Sequence, residues 1–368
     1  MKTLKNLLQF IFLFLLFNGC INLKSNYNLK LTLKIEADSN ELTQQEIESI
    51  QTILSKRLEN YGISKRKQSI EIKGNNINIE INNIKDPQNI KNLLTTPGKL
   101  GFWETYDMAN IEIFASLIDA NKIIRDSLEK EKNQMVEAAN NDLKAENENQ
   151  MSLLDELEAR GDEIKNLLNQ QDLKIEYPLF SILQPNINRE GLPQPGSVVG
   201  YATDTNISKV NEFLAMPQVI ALFPGDMKLL WSISPVRHTV DPVSKIYELH
   251  AIKVTNVDGS AVLDESFIKE AISAYDQYSG NSYISITMDD EGAMIWRNMT
   301  RNNIDKYIAI TVDDKVCTSA KVLDEISGGK TSVSGGFSEE EAKKLINILN
   351  SASLPDKLTV VNEKITSN

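Results

Sequence analysis

The chain has 368 residues, 41% of them apolar, enough for two or three domains with cores of their own. Its formal net charge of −12 argues against nucleic acid and anionic lipid surfaces as partners. Two histidines (His238, His250) and two cysteines (Cys20, Cys317) leave little from which to build a zinc or iron site, and no cofactor is expected.

Lys2 and Lys5 precede an almost wholly apolar run, Leu7 to Phe17, and then Asn18-Gly19-Cys20. That order of charge, apolar stretch and small residue reads as a secretory signal over residues 1–19, too short for a membrane-spanning helix. A cysteine just after the cleavage position resembles a bacterial lipobox, which would make Cys20 the acylated first residue. An uncleaved anchor helix and a buried thiol are the alternatives. A polar tether, residues 20–28, follows, and no later stretch nears 18 consecutive apolar residues.

Leu29 to Ala37 alternates as a strand. Thr43-Gln-Gln-Glu46 is a capping box, and Ile47, Ile50, Leu54, Leu58 and Tyr61 give the helix one apolar face up to Gly62. Ser69 to Ile72 and Ile77 to Ile81 form a hairpin around Gly74-Asn75-Asn76. Asp86-Pro87 opens a second helix, which stops before Pro97-Gly98, and Lys99 to Thr105 is a strand. The order β-α-β-β-α-β is that of a ferredoxin-like sandwich, assigned to residues 29–107.

Residues 108–200 read as a helical arm and a proline-rich linker. Leu117, Ile124, Leu128, Leu153, Leu157, Ile164 and Leu168 fall at helical spacing among Glu, Asn and Lys, giving two long helices broken near 140–150. A solvated arm is the plain reading, a partner-binding coil the other. Tyr177 to Gly196, with Pro178, Pro185, Pro193 and Pro195, is loop. Ile207 to Leu214 is a short helix, and strands follow at Leu229 to Ile233 and Tyr247 to Thr255.

From Val262 onward the punctuation is clear. Ser282 to Thr287 alternates as a strand, and Asp289 to Arg301 is a helix with Ala293, Trp296 and Thr300 on one stripe. Tyr307 to Val312 and Lys315 to Val322 are strands joined by the polar turn Asp313-Asp314. A loop with two double glycines, ISGGKTSVSGGF, leads to a capping box at Ser338, a helix through Leu349, and a last strand from Leu358.

These residues carry a resemblance. Asp-x-x-Ser-Gly at 276–280, then EGA, VDDKV, ISGG, SGGFSEEEA and LP-x-x-LTVV, in that order, resemble the first periplasmic domain of the SecD family. RLENYGI, IKDPQNI and GKLGFWE resemble its base; NEFLAMP and ALFPGDMKLLWS resemble the enlarged version in fused SecD–SecF proteins of Bacteroidota-like bacteria. The resemblance implies an α+β fold: a ferredoxin-like base (29–107, completed by 356–366), an inserted head (201–355) and a long helical insertion. It further implies a periplasm-facing accessory to Sec-dependent export, and with the lipobox-like Cys20 a lipid-anchored one. Its partners would be Sec translocon subunits and exported polypeptides, met by an exposed loop of Gly328, Gly329, Gly335, Gly336 and Phe337. The alternative is an envelope interaction lipoprotein with no export role. Proton coupling in that family needs membrane helices after this domain, so with the sequence ending at Asn368 no proton motor is expected.

No enzyme emerges from the residues. Gly329-Lys330-Thr331 mimics the end of a phosphate-binding loop, but Asp324 stands where its first glycine belongs. Asp289-Asp290-Glu291 and Asp313-Asp314 are a helix start and a turn rather than calcium ligands. His238 and His250 lack a spaced serine or cysteine partner, and Cys317 reads as a small buried apolar group. The double glycines have a backbone reading too, as tight connections at positive φ.

Overall fold

The computed structural model describes residues 26–35, 43–146, 176–236, 245–275, 282–333, 339–354 and 358–367. Cys20, His238, Gly335, Gly336, Phe337, the signal segment and the arm beyond residue 146 lie outside them. The protein is a mixed α/β structure with several antiparallel sheets. It divides into two compact units, one made by residues before Gly98 together with those after Ser353, the other by Gly98–Ser353.

In the first unit, strand Tyr27–Ile35 buries every second residue, Leu29, Leu31, Leu33 and Ile35, and exposes Lys30 and Lys34. It sits between Leu358–Ser367 and Asn76–Ile84, with Gln68–Lys73 at the far edge, all antiparallel. Helices Gln44–Asn60 and Pro87–Thr95 cover the apolar face through Ile50, Leu54, Leu58, Ile90 and Leu94. Local chemistry starts both helices. Glu46 N–H donates to Thr43 Oγ1 while Thr43 N–H donates to the Glu46 carboxylate at 2.7 Å, and Asp86 caps a helix whose first residue is Pro87.

The buried centre of this unit is Arg57, fully shielded from solvent. Its guanidinium donates to the carbonyls of Leu93 (3.0 Å), Pro97 (2.8 Å) and Thr96. These are the exposed carbonyl end of helix Pro87–Thr95 and the residues just after it, where a cation is favoured. Leu354 N–H adds a bond to the Pro97 carbonyl.

The sequence reading gives residues 99–105 to the first sheet, and the structure corrects this. Strand Leu100–Glu104 pairs with Tyr307–Val312 and Leu263–Asp264 in the second unit; the first sheet is closed by Leu358–Ser367. The reason is burial on both sides. Leu100 and Phe102 enter one core while Trp103 enters another. A sheet covered on one face has no room for that.

The second unit holds three of the sheets. Lys315–Lys321, Tyr307–Val312, Leu100–Glu104 and Leu263–Asp264 make one; Ile268–Tyr275, Ser282–Met288 and Lys330–Val333 another; Gln184–Pro185, Val198–Thr203, Ile246–Lys253 and Met227–Trp231 the third. Helices Asp290–Asn302 and Glu339–Leu349 add Trp296, Met299, Leu345 and Leu349 to the core around Phe102. Asp313 and Asp314, at φ +50° and +59°, make the expected two-residue turn. Asp313 Oδ1 also accepts the N–H groups of Gly98 (2.7 Å) and Lys99 (2.9 Å).

Two further expectations change. Helix Ile111–Glu146 is not solvated from its start: Ile113, Leu117, Ala120 and Ile124 are buried against Val210, Phe213 and Trp231. Their i, i+4, i+7 spacing is that of a packed face. Residues 177–200 are not plain linker either. Leu179 and Leu183 are buried in the same core, and the N–H groups of Leu179 and Phe180 donate to the buried Asn121 side chain at 3.0 and 3.1 Å. The prolines there set the turns of a packed segment.

Candidate functional site

Helix Asp290–Asn302 organises this region from its first turn. Asp289 caps it, accepting the Gly292 N–H at 2.8 Å. Gly292 is required there, because a Cβ would stand 2.7 Å from Phe267 Cβ. Trp296 points into the core, edge-on to Phe102 with ring centroids 5.2 Å apart.

One flank of the helix carries the first double glycine. Gly329 has φ +60°, and a Cβ on it would stand 2.6 Å from Ala293 Cβ. The Gly329 carbonyl accepts Met288 N–H at 2.8 Å, Ile326 N–H donates to Thr300 Oγ1 at 3.0 Å, and Arg297 pairs with Glu325. Gly328 has nothing within 4 Å of an added Cβ. Beside this seam Met294 and Leu323 are exposed, at 61% and 82%.

The opposite flank lines a cleft of about 290 Å³. Ile295 and Met299, with Phe102, Trp103 and Val262, give it an apolar floor. Asn298 and Asn302, also four residues apart, give it amide groups, and Lys253 and Glu104 bring one charge of each sign. The Lys253 ammonium lies 4.9 Å from the Tyr106 ring centroid. Apolar walls with amide donors and acceptors suit an apolar side chain on an extended backbone. Sequence reasoning missed this stripe because the Trp296 face drew the attention, although Ile295–Met299 and Asn298–Asn302 carry the same period.

Cys317 is buried, as read from its strand. Burial pushes its thiol from 9.0 up to about 12. The unfolded chain gives up this proton near pH 9, so the stability it supports is whole below pH 9 and falls as the pH rises toward 12. In Cys20→Ser, Ellman's reagent at about pH 8.5 is expected to leave the native protein untouched and to react in guanidinium; prompt native reaction would refute this. His250, by contrast, departs from expectation: Ser197 Oγ lies 2.9 Å from its Nδ1. Among the described residues no cluster of three or more His, Cys, Asp or Glu is poised to hold a metal.

Residues 244–356 match the family model described as SecDF, P1 head subdomain. The protein translocase subunit SecD of Rhodothermus marinus is 30% identical over 187 residues, 51% of this chain and 28% of that protein. SecD of Sebaldella termitidis is 38% identical over 109 residues, 30% of this chain and 27% of that protein. Among solved structures, SecDF in its super-membrane-facing form aligns with 92% of this chain and 30% of its own, at 17% identity and TM-score 0.48. The chain spans about a quarter of the length of these two curated relatives. It therefore carries a domain similar to the P1 head subdomain of SecDF. The helix, the glycine seam and the cleft's Ile295, Asn298, Met299 and Asn302 lie within the matched segment, residues 244–356.

Proposed function

We propose that this protein is an accessory to Sec-dependent protein export, tethered to a membrane by acylated Cys20 and facing the periplasm. It contacts translocating or unfolded polypeptide. The observation that carries this reading is the apolar, amide-rimmed cleft of Ile295, Asn298, Met299 and Asn302 inside the P1 head segment. The loop of Gly328, Gly329, Gly335, Gly336 and Phe337 is proposed as a second contact; of these, the described Gly329 packs against Ala293, next to the exposed Met294. The first unit is proposed as the ferredoxin-like base, supported by its strand order, in which the C-terminal strand lies beside the N-terminal one.

Photo-crosslinking in growing cells from positions 299, 302 and 337 tests this. Crosslinks to translocon subunits, or to many unrelated secretory chains, are expected from the cleft. In the same cells labelled palmitate is expected on the wild type and not on Cys20→Ser. Capture of a single envelope protein, or capture only from residues 111–134, would sink the export role. An envelope interaction lipoprotein would then be the better account.

A further inference from the structure

A second cavity, of about 390 Å³, is lined by hydroxyls as well as hydrocarbon. Ser197, Ser232, Ser234, Thr318 and Ser319 contribute to it, together with His250 and Glu248. Glu248 and His250 lie two apart on strand Ile246–Lys253 and so share a face; Ser197 immediately precedes the strand that pairs beside them, where Val198 opposes His250. Ser319 comes from the neighbouring sheet. Ser197 Oγ is 2.9 Å from His250 Nδ1 and 2.7 Å from Ser319 Oγ. On the other side of the ring, His250 Nε2 is 3.4 Å from Glu248 Oε2. Ser197 and His250 are buried, at 1% and 3% exposure, and the cavity is their way to a ligand.

An isolated serine hydroxyl is a weak nucleophile. It becomes a useful one when an imidazole can take its proton and a carboxylate faces the other ring nitrogen. That is the arrangement here, with the serine on Nδ1 and the carboxylate on Nε2. A hydroxyl has one proton to give. When Ser197 gives it to Ser319, His250 Nδ1–H can donate to Ser197; when Ser197 gives it to His250, Ser319 can donate back. The serine–serine–imidazole chain keeps its bonds in both settings, while the Glu248 carboxylate beside Nε2 favours the tautomer with its proton there, the one in which Nδ1 can take the proton of Ser197. The volume falls at the small end of ligand sites, which run from roughly 300 Å³ to 1,000 Å³.

We propose that Ser197 is an activated nucleophile and that this cavity takes small esters of carboxylic or phosphonic acids. This goes beyond the export reading and does not depend on it. Ser197 Oγ bonds to the acyl carbon as its proton passes to His250 Nδ1. The ester C–O bond breaks, and the leaving alcohol takes that proton. Water then hydrolyses the acyl-serine, again through His250. With a dialkyl fluorophosphate the same attack forms a P–O bond, breaks the P–F bond and expels fluoride, the serine proton passing through His250 to water, and the adduct stays.

The test treats the purified full chain with diisopropyl fluorophosphate and reads intact and peptide masses. One added phosphoryl group on Ser197 is expected, absent from Ser197→Ala. In His250→Gln, whose amide can still hydrogen-bond Ser197 but cannot accept its proton, labelling is expected to slow by about 100-fold. Circular dichroism checks that each variant is folded. If His250→Gln does not fold, Glu248→Gln replaces it, with labelling expected to slow at least about 10-fold. A wild type without Ser197 adduct overturns the proposal, as does a rate unchanged in the folded imidazole or carboxylate variant.

Discussion

Arg57→Met is expected to destabilise the first unit by about 3–5 kcal/mol, a large share of the stability of any single domain. The substitution keeps volume but takes away the donor to the Leu93, Thr96 and Pro97 carbonyls. Each buried acceptor left short of a partner costs on the order of 1–3 kcal/mol. Arg57→Lys is expected to recover only part of the loss, because one ammonium cannot reproduce a planar fork aimed at three oxygens. Hydrogen exchange in urea, followed on strands Tyr27–Ile35 and Asn76–Ile84, separates this unit from the other. A loss below about 1 kcal/mol would show that water satisfies those carbonyls and that Arg57 is replaceable.

Gly329→Val is the second large effect, about 3 kcal/mol against the second unit. Two costs combine: a branched side chain in the left-handed region, and a Cβ driven into Ala293. Gly328→Ala, one residue away, is expected to change stability by less than about 0.5 kcal/mol, since nothing stands within 4 Å of its Cβ. Thermal unfolding of the two variants side by side decides the matter. Equal melting temperatures would mean the seam yields, and the double glycine would then owe nothing to the helix beside it.

The parts legible in the sequence are those governed by short-range chemistry. Thr43 with Glu46, Asp86 with Pro87 and Asp313 with Asp314 sit where capping and turn geometry put them. Partners distant in sequence were not legible. Leu100–Glu104 reads as a strand, but which sheet it joins depends on Tyr307–Val312, some two hundred residues on. The packed face of helix Ile111–Glu146 has the period of a solvated amphipathic arm, and only Val210, Phe213 and Trp231 reveal what covers it. The cleft has the same cause, since its floor mixes Phe102 and Trp103 with Ile295 and Met299. His250 looked partnerless because Ser197 is fifty-three residues away, joined to it by strand pairing and not by any motif.

The pairing of Tyr27 with Ser367 has a consequence for how the molecule is made. Because the chain is made and exported with its N-terminus leading, the first strand emerges well before its outer neighbour does. Through that interval Gly98–Ser353 can complete its own cores, while Tyr27–Ile35 waits with one row of backbone groups unpaired. A nascent chain cut short before Leu358 would keep that row open permanently. The nine residues of Leu358–Ser367 that pair with Tyr27–Ile35 therefore close this sheet last, and a chaperone would have most to protect just before they arrive.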